Sequence, residues 1–167
     1  MYKRQLLNRV LTLRCDEAWR ALAARRILEP GPARVLDLCC GTGDLINHIA
    51  RRAPQGTELA ALDYSAGMLE LAQRKLAGRA VRFVEGDASA MPLADEEFDA
   101  VGTAFAFRNL TWKNPLRDAA LGEVLRVLRP AGRFVIVETS QPRNGLWRAV
   151  FHAYLRCLLY TSDAADE

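Results

Sequence analysis

The 167-residue sequence holds no Cys-x-x-Cys pair: its four cysteines stand at 15, 39, 40 and 157, two of them adjacent. That spacing argues against both a zinc site and a disulfide framework. No apolar run approaches the ~20 residues that cross a bilayer, and the N-terminus lacks the apolar core and cleavage site of a secretory signal. An excess of charge of one sign is lacking as well. The formal net charge is +3, too little to argue for a nucleic-acid partner. There is no internal repeat, low-complexity tract or linker. A cytoplasmic protein without a resident metal is therefore expected, and nothing specifies its oligomeric state. What is present is an ordinary globular composition, 50% hydrophobic and 26% charged, long enough for one domain with its own core.

The two ends read differently from the rest. Residues 157–167 (CLLYTSDAADE) follow an amphipathic stretch with no stop signal. They resemble the translation of a transposon mosaic-end adapter used in shotgun sequencing, and MYKRQ at 1–5 resembles the same adapter read from its other strand. The expected organisation is thus an adapter scar at 1–5, an incomplete domain at 6–156 and a second scar at 157–167.

Between those ends two hydrophobic periods alternate. A helical stripe over 6–28 (Leu6, Val10, Leu13, Trp19, Leu22, Ile27) stops at Pro30-Gly-Pro32. Short apolar runs at 34–40, 57–63, 81–84, 98–107 and 133–138 read as strands. Helical stretches are expected at 44–53, 66–76 and 115–128, and another from Gly145. Near-continuous apolar strands separated by amphipathic helices specify an α/β fold, a parallel sheet with helices on both faces. Right-handed crossovers then bring the strand C-termini to one edge, where such sheets bind ligands.

The polar residues fall at those strand ends. Asp37-Leu-Cys-Cys-Gly-Thr-Gly-Asp44 follows the first strand. Its glycines allow close backbone approach to a ligand, but no Lys follows, so it is not a phosphate-cradling loop, and Ile46 stands where a dinucleotide fingerprint has its third Gly. Asp63 ends the second strand about 20 residues on, a spacing that suits a carboxylate accepting from ribose hydroxyls. Gly86-Asp87-Ala88 follows the third strand; a carboxylate there can accept from an adenine amino group, with Ala88 leaving room for the ring. Acidic groups after strands two and three favour S-adenosylmethionine over a pyrophosphate-bearing cofactor. Cys39 and Cys40, on a buried strand, read as inert packing, and His48 as helix surface.

Taken in order, Asp37-Leu-Cys-Cys-Gly-Thr-Gly-Asp-Leu45, Leu62-Asp-Tyr-Ser65, Gly86-Asp-Ala-Ser-Ala-Met-Pro-Leu93, Phe107-Arg-Asn109, Arg126-Val-Leu-Arg-Pro130 and Glu138-Thr-Ser-Gln-Pro142 resemble the ubiquinone/menaquinone biosynthesis C-methyltransferases. These are class I S-adenosylmethionine-dependent enzymes with a Rossmann-like fold. The resemblance implies that Asp37, Gly41, Thr42 and Gly43 hold the methionine end of the cofactor. Asp63 with Tyr64 would take the ribose side and Asp87 with Ala88 the adenine. Ala104 lies where relatives often carry a Ser, and Cys39 where generic class I enzymes have a first Gly. It implies further that final strands beyond Arg156 are missing.

The implied reaction is C-methylation of a demethylated quinol, demethylmenaquinol to menaquinol first among them. It needs alignment and stabilisation of a phenolate-like oxygen but no metal. Arg108 is the candidate for that oxygen, a structural ion pair being its alternative. The partner would be an isoprenoid quinol, with peripheral contact to the inner face of the membrane through the aromatic stretch 146–156. A methyltransferase for another small apolar acceptor, or an inactive cofactor-binding fragment, is the competing reading.

Overall fold

A computed structural model of the chain describes residues 15–139 and 144–145. Most of these belong to one compact unit, Ala18–Glu138; the other unit, Met1–Glu17 with Thr139–Glu167, contributes only 15–17, 139 and 144–145 to the description. The expected boundaries at 5 and 157, the first part of the 6–28 stripe and the 146–156 stretch lie outside the described residues.

Five strands form one sheet in the order β3-β2-β1-β4-β5, and every pairing is parallel. They are β1 (Arg34–Leu38), β2 (Glu58–Asp63), β3 (Val81–Glu85), β4 (Phe98–Ala104) and β5 (Leu128–Val137). Helices α1 (Cys15–Leu28), α2 (Asp44–Ala50) and α3 (Ala66–Lys75) precede or link the first strands, and α4 (Phe107–Thr111) and α5 (Arg117–Val127) link β4 to β5.

The central strands are covered on both faces, as their apolar runs require. On one side Val35, Leu59, Ala61 and Ala100 pack with Ala23, Ala24 and Ile27 of α1, Leu45, Ile46 and Ile49 of α2, and Leu69 and Ala72 of α3. On the other, Leu36, Leu38, Ala60, Leu62 and Val101 pack with Ala120, Val124 and Val127 of α5 and with Ala88, Met91 and Leu93.

Three local expectations need correction. The α1 stripe was expected to bury Trp19 and Leu22, but both are exposed and the buried positions are Ala23, Ala24 and Ile27. The one large buried position, Ile27, is admitted by a glycine on β4: a Cβ on Gly102 would come within 2.6 Å of Ile27 Cδ1. The fourth strand stops at Ala104 rather than 107, because Phe105 takes a left-handed φ of 60° and turns the chain into α4. The fifth strand begins at Leu128, not 133. Pro130-Ala-Gly132 sits inside it as an irregularity, the pairing jumping from Phe98↔Leu128 to Ala100↔Arg133, and Pro is tolerated at such a bulge.

Candidate functional site

The chain reverses its strand order between β1 and β4, which lie side by side while β2 and β5 lead away on opposite flanks. Ligands of open parallel sheets bind at that point, outside the strand C-termini. The loops after β1, β2 and β3 converge there: the Cys39 thiol feels Asp63, Asp37 and Asp87 together.

Asp37 occupies the fourth position of β1 and is almost wholly buried. Its Oδ2 accepts the Ile46 N–H at 2.9 Å, while Oδ1 is buried with no hydrogen-bond partner among the described residues. Burial pushes the carboxyl up to about 8. The Ile46 bond works against that shift, Asp63 and Asp44 add to it, and Arg20 opposes it. A buried oxygen of this kind is costly to leave unbonded and marks a place where a partner is missing.

The loop after β1 reverses its backbone at alternate residues, with φ of 55° at Cys39, 54° at Gly41 and 76° at Gly43. Gly43 permits a close approach, since a Cβ there would meet Ala72 Cβ and Leu76 Cδ1 at 2.9 Å. Gly41 is different: a Cβ would meet nothing within 4 Å. Its N–H, the kind of donor that cradles phosphates elsewhere, goes to Asp63 Oδ2 at 2.7 Å. Asp63 Oδ1 accepts the Ser65 N–H at 3.0 Å. Asp63 is thus a strut between two loops as well as a carboxylate at the cleft, and each oxygen keeps acceptor capacity for one more donor.

Asp87 is exposed. Its Oδ1 takes both the Ser89 N–H and the Ser89 hydroxyl at 2.8 Å, and these bonds hold the carboxyl below its usual range. Ala88 beside it is buried. Tyr64 stands out at the rim, 76% exposed. Thr42 is drawn into a cluster that sequence reasoning missed: Lys75 Nζ donates to Thr42 Oγ1 at 3.2 Å and to Asp44 Oδ1 at 2.5 Å. Burial, then the nearby carboxylates, push both Cys39 and Cys40 thiols far above the ordinary range, which makes them poor nucleophiles.

Across the switch point, Ala104 ends β4 and the Phe105 N–H donates to the Val137 carbonyl at 2.7 Å. The Phe105 ring lies 6.3 Å from Trp19, with the Arg20 guanidinium 4.9 Å from its centroid. Neither Arg20 nor Phe105 carries a motif that could have announced it. Arg108 is exposed on α4; its N–H donates to Glu138 Oε2 at 3.0 Å and its guanidinium stacks 5.4 Å from the Trp112 ring.

The residues present suit S-adenosylmethionine. Asp37 keeps a buried oxygen unbonded among the described residues, the space over Gly41 is open, and Asp63 and Asp87 each keep acceptor capacity, a set that can take up a cationic amine and a nucleoside. No group of three His, Cys, Asp or Glu among the described residues could hold a metal ion. This fold and edge define a class I methyltransferase, the class that draws its methyl group from S-adenosylmethionine. The chain belongs to the ubiE/COQ5 methyltransferase family, whose profile matches residues 1–162.

It is 44% identical to the demethylmenaquinone methyltransferase of Thermus thermophilus, over 92% of this chain and 69% of that protein. Identity is again 44% to the enzyme of that name from Deinococcus radiodurans, over 92% of this chain and 63% of that one. The chain thus spans about two thirds of the length of these curated relatives. Among solved structures, the amino pentose methyltransferase CalS10 from Micromonospora echinaspora, with S-adenosylmethionine bound, superposes with a TM-score of 0.60. It shares 31% identity over 75% of this chain and 53% of its own. No helix among the described residues is long and apolar enough to cross a membrane.

Proposed function

We propose that this chain carries the cofactor half of an S-adenosylmethionine-dependent C-methyltransferase acting on a demethylated isoprenoid quinol in menaquinone or ubiquinone biosynthesis, demethylmenaquinol first among them. The observation that carries it is the row of carboxylates at the switch point, read with the demethylmenaquinone methyltransferases that the chain matches at 44% identity.

When bound, the cofactor supplies an electrophilic methyl group on a sulfonium. Asp37 offers its unpaired oxygen to the α-ammonium of the methionine end, above Gly41 and beside Thr42 and Gly43. Asp63 accepts from the ribose hydroxyls with the capacity left by Gly41 and Ser65, and Tyr64 borders that side. Asp87 keeps Oδ2 for the adenine amino group, with Ala88 under the ring. Ala104 lines the opposite wall without a hydroxyl. Arg108 has no acidic side-chain partner among the described residues, and we assign it to the phenolate-like oxygen that develops on the quinol ring. A quinol with an isoprenoid tail also calls for peripheral contact with a lipid surface.

Calorimetry with S-adenosylhomocysteine, followed by mass analysis of demethylmenaquinol and a demethylated benzoquinol incubated with cofactor and protein, tests this. Binding together with a mass gain of one methylene on either quinol supports the proposal and tells the two rings apart. Binding with methylation of neither would favour another small apolar acceptor. Absence of binding would overturn the site itself.

A further inference from the structure

Arg126, on the last turn of α5, uses every N–H of its guanidinium. Nε donates to Glu123 Oε1 at 2.7 Å. Nη1 donates to the Leu93 carbonyl at 2.8 Å and to Asp95 Oδ1 at 2.6 Å. Nη2 donates to the Met91 carbonyl at 3.0 Å and to Glu123 Oε2 at 2.8 Å. Glu123 then closes the circuit, its Oε2 accepting the Met91 N–H at 2.6 Å. Both backbone groups of Met91 are therefore clamped to one face of α5. The Arg126 side chain is 30% exposed and that of Glu123 18%, so solvent screens this network only in part.

What the clamp holds is the segment between β3 and β4, residues 86–97. At its near end the Gly86 N–H donates to the Asp63 carbonyl at 3.1 Å. Asp87 and Ala90 form an isolated antiparallel bridge, and the Ala90 N–H donates to the Asp87 carbonyl at 3.1 Å. Met91 follows directly, and its side chain is buried with Ala88 and Leu93. Asp87 is thus tied to β2 on one side and, through a single tight turn, to Arg126 and Glu123 on the other. Its exposed carboxylate is oriented, among the described residues, by Ser89.

We propose that Arg126 and Glu123 are positioning residues for nucleobase recognition: by clamping Met91 they hold Asp87 and Ala88 in the geometry that selects adenine over other bases. This rests on the assignment of Asp87 and Ala88 to adenine made above. The bond between them is the first cause that holds the Glu123 carboxyl below and the Arg126 guanidinium above the usual range.

The test compares S-adenosylhomocysteine with S-inosylhomocysteine by calorimetry on the whole chain. The inosyl base presents a carbonyl where adenine presents an amino group, so Asp87 should favour the adenosyl ligand by about a hundredfold. Arg126→Met and the milder Glu123→Gln should bring that ratio to within about threefold of unity in molecules that remain folded. A purely structural clamp would lower the melting temperature and leave the ratio alone, and that result overturns the inference. If Arg126→Met does not fold, Glu123→Gln decides. Asp87→Asn separates the two levels: if the ratio survives that change, or is absent from the unaltered protein, the adenine assignment itself fails and the inference with it. A ratio lost in Asp87→Asn but kept in both clamp variants removes only the inference.

Discussion

At the N-terminal edge of the sheet Asp99 has a partner for each oxygen; at the C-terminal edge Asp37 does not. Asp99 Oδ2 accepts the N–H groups of Ala33 and Arg34, both at 2.8 Å, and Oδ1 accepts Arg129 Nη1 at 2.7 Å. Burial works to raise its pKa, but the bonds from Arg34, Arg129 and Ala33 outweigh that and hold the carboxyl below its usual range. Asp37 is more deeply buried, has one bond among the described residues, and is pushed up to about 8. The same residue type on adjacent strands is thus spent on the fold at one edge and kept back at the other. A carboxylate whose bonds are all made within the protein stabilises it; one left half-bonded in the interior costs stability and keeps an acceptor for a further donor.

The largest expected effect follows from the sign of the Asp37 shift. Its pKa rises from 3.8 to about 8 on folding. Between those values the folded state holds a proton that the unfolded state has released. Asp37's contribution to stability is therefore full below about pH 4 and is lost as pH climbs toward 8, at up to about 1.4 kcal/mol per pH unit. Denaturant titrations from pH 5 to 8 should show the unaltered chain losing stability relative to Asp37→Asn, whose own profile should be flatter. The groups bearing on Asp37 are Asp63 and Asp44, which raise the shift, Arg20, which opposes it, and the neutral thiols of Cys39 and Cys40. Parallel profiles would mean that Asp37 is ionised in the folded state and the contrast with Asp99 is false.

Next in size is the loss of ligand affinity. A cationic α-ammonium beside the Asp37 carboxylate is a charge-assisted bond in a dry site, and Asp37→Asn should weaken S-adenosylhomocysteine binding by about a hundredfold. Binding to the unaltered chain should release a proton below pH 8, visible as a dependence of the calorimetric heat on the buffer used. Equal affinity in the Asn variant would move the methionine end away from this oxygen.

Asp99→Ala provides the converse. It strips acceptors from two backbone N–H groups and from Arg129, and should cost about 2–3 kcal/mol of stability. Affinity per folded molecule should stay within experimental error, because Asp99 sits at the far edge. If affinity fell instead, the two edges would be coupled through β4 and the division of labour between them would be less strict.

Most of this edge was legible before the structure, for a physical reason. Strands and the glycine loop announce themselves locally, and a parallel sheet forces their ends together, so Asp37, Asp63 and Asp87 could be placed by spacing alone. Groups that act by long-range contact left no such trace. Lys75 reaches back 33 positions to Thr42, and Arg126 reaches back 35 to Met91. The inward face of α1 differs from the stripe because Trp19 and Leu22 outrank alanine in hydrophobicity, whereas the face that packs on the sheet carries Ala23, Ala24 and Ile27. The ends of β4 and β5 were misplaced because Phe105 and Ala131 adopt positive φ, which no apolar pattern encodes. Spacing marked Asp63 as a carboxylate at the strand end but not as the strut that fixes Gly41.

The smallest effect concerns the first residue of the loop. Cys39 has a φ of 55°, a left-handed conformation that costs an L-residue with a Cβ about 1–2 kcal/mol. Glycine adopts it freely, which accounts for the first Gly of generic class I loops. Glycine also loses more chain entropy on folding, about 0.5–1 kcal/mol against a residue with a side chain. The Cys39 side chain is half-buried and packs against the core on the α5 side, so removing it forfeits some apolar burial. These opposing terms leave Cys39→Gly near neutral to about 1 kcal/mol more stable, readable as a small shift of the denaturant midpoint. Affinity for S-adenosylhomocysteine should not change, since the thiol is neutral and has no ligand role. A clear loss of stability would show that packing outweighs strain here, and that the C-terminal edge, like the N-terminal one, is built for the fold at this position.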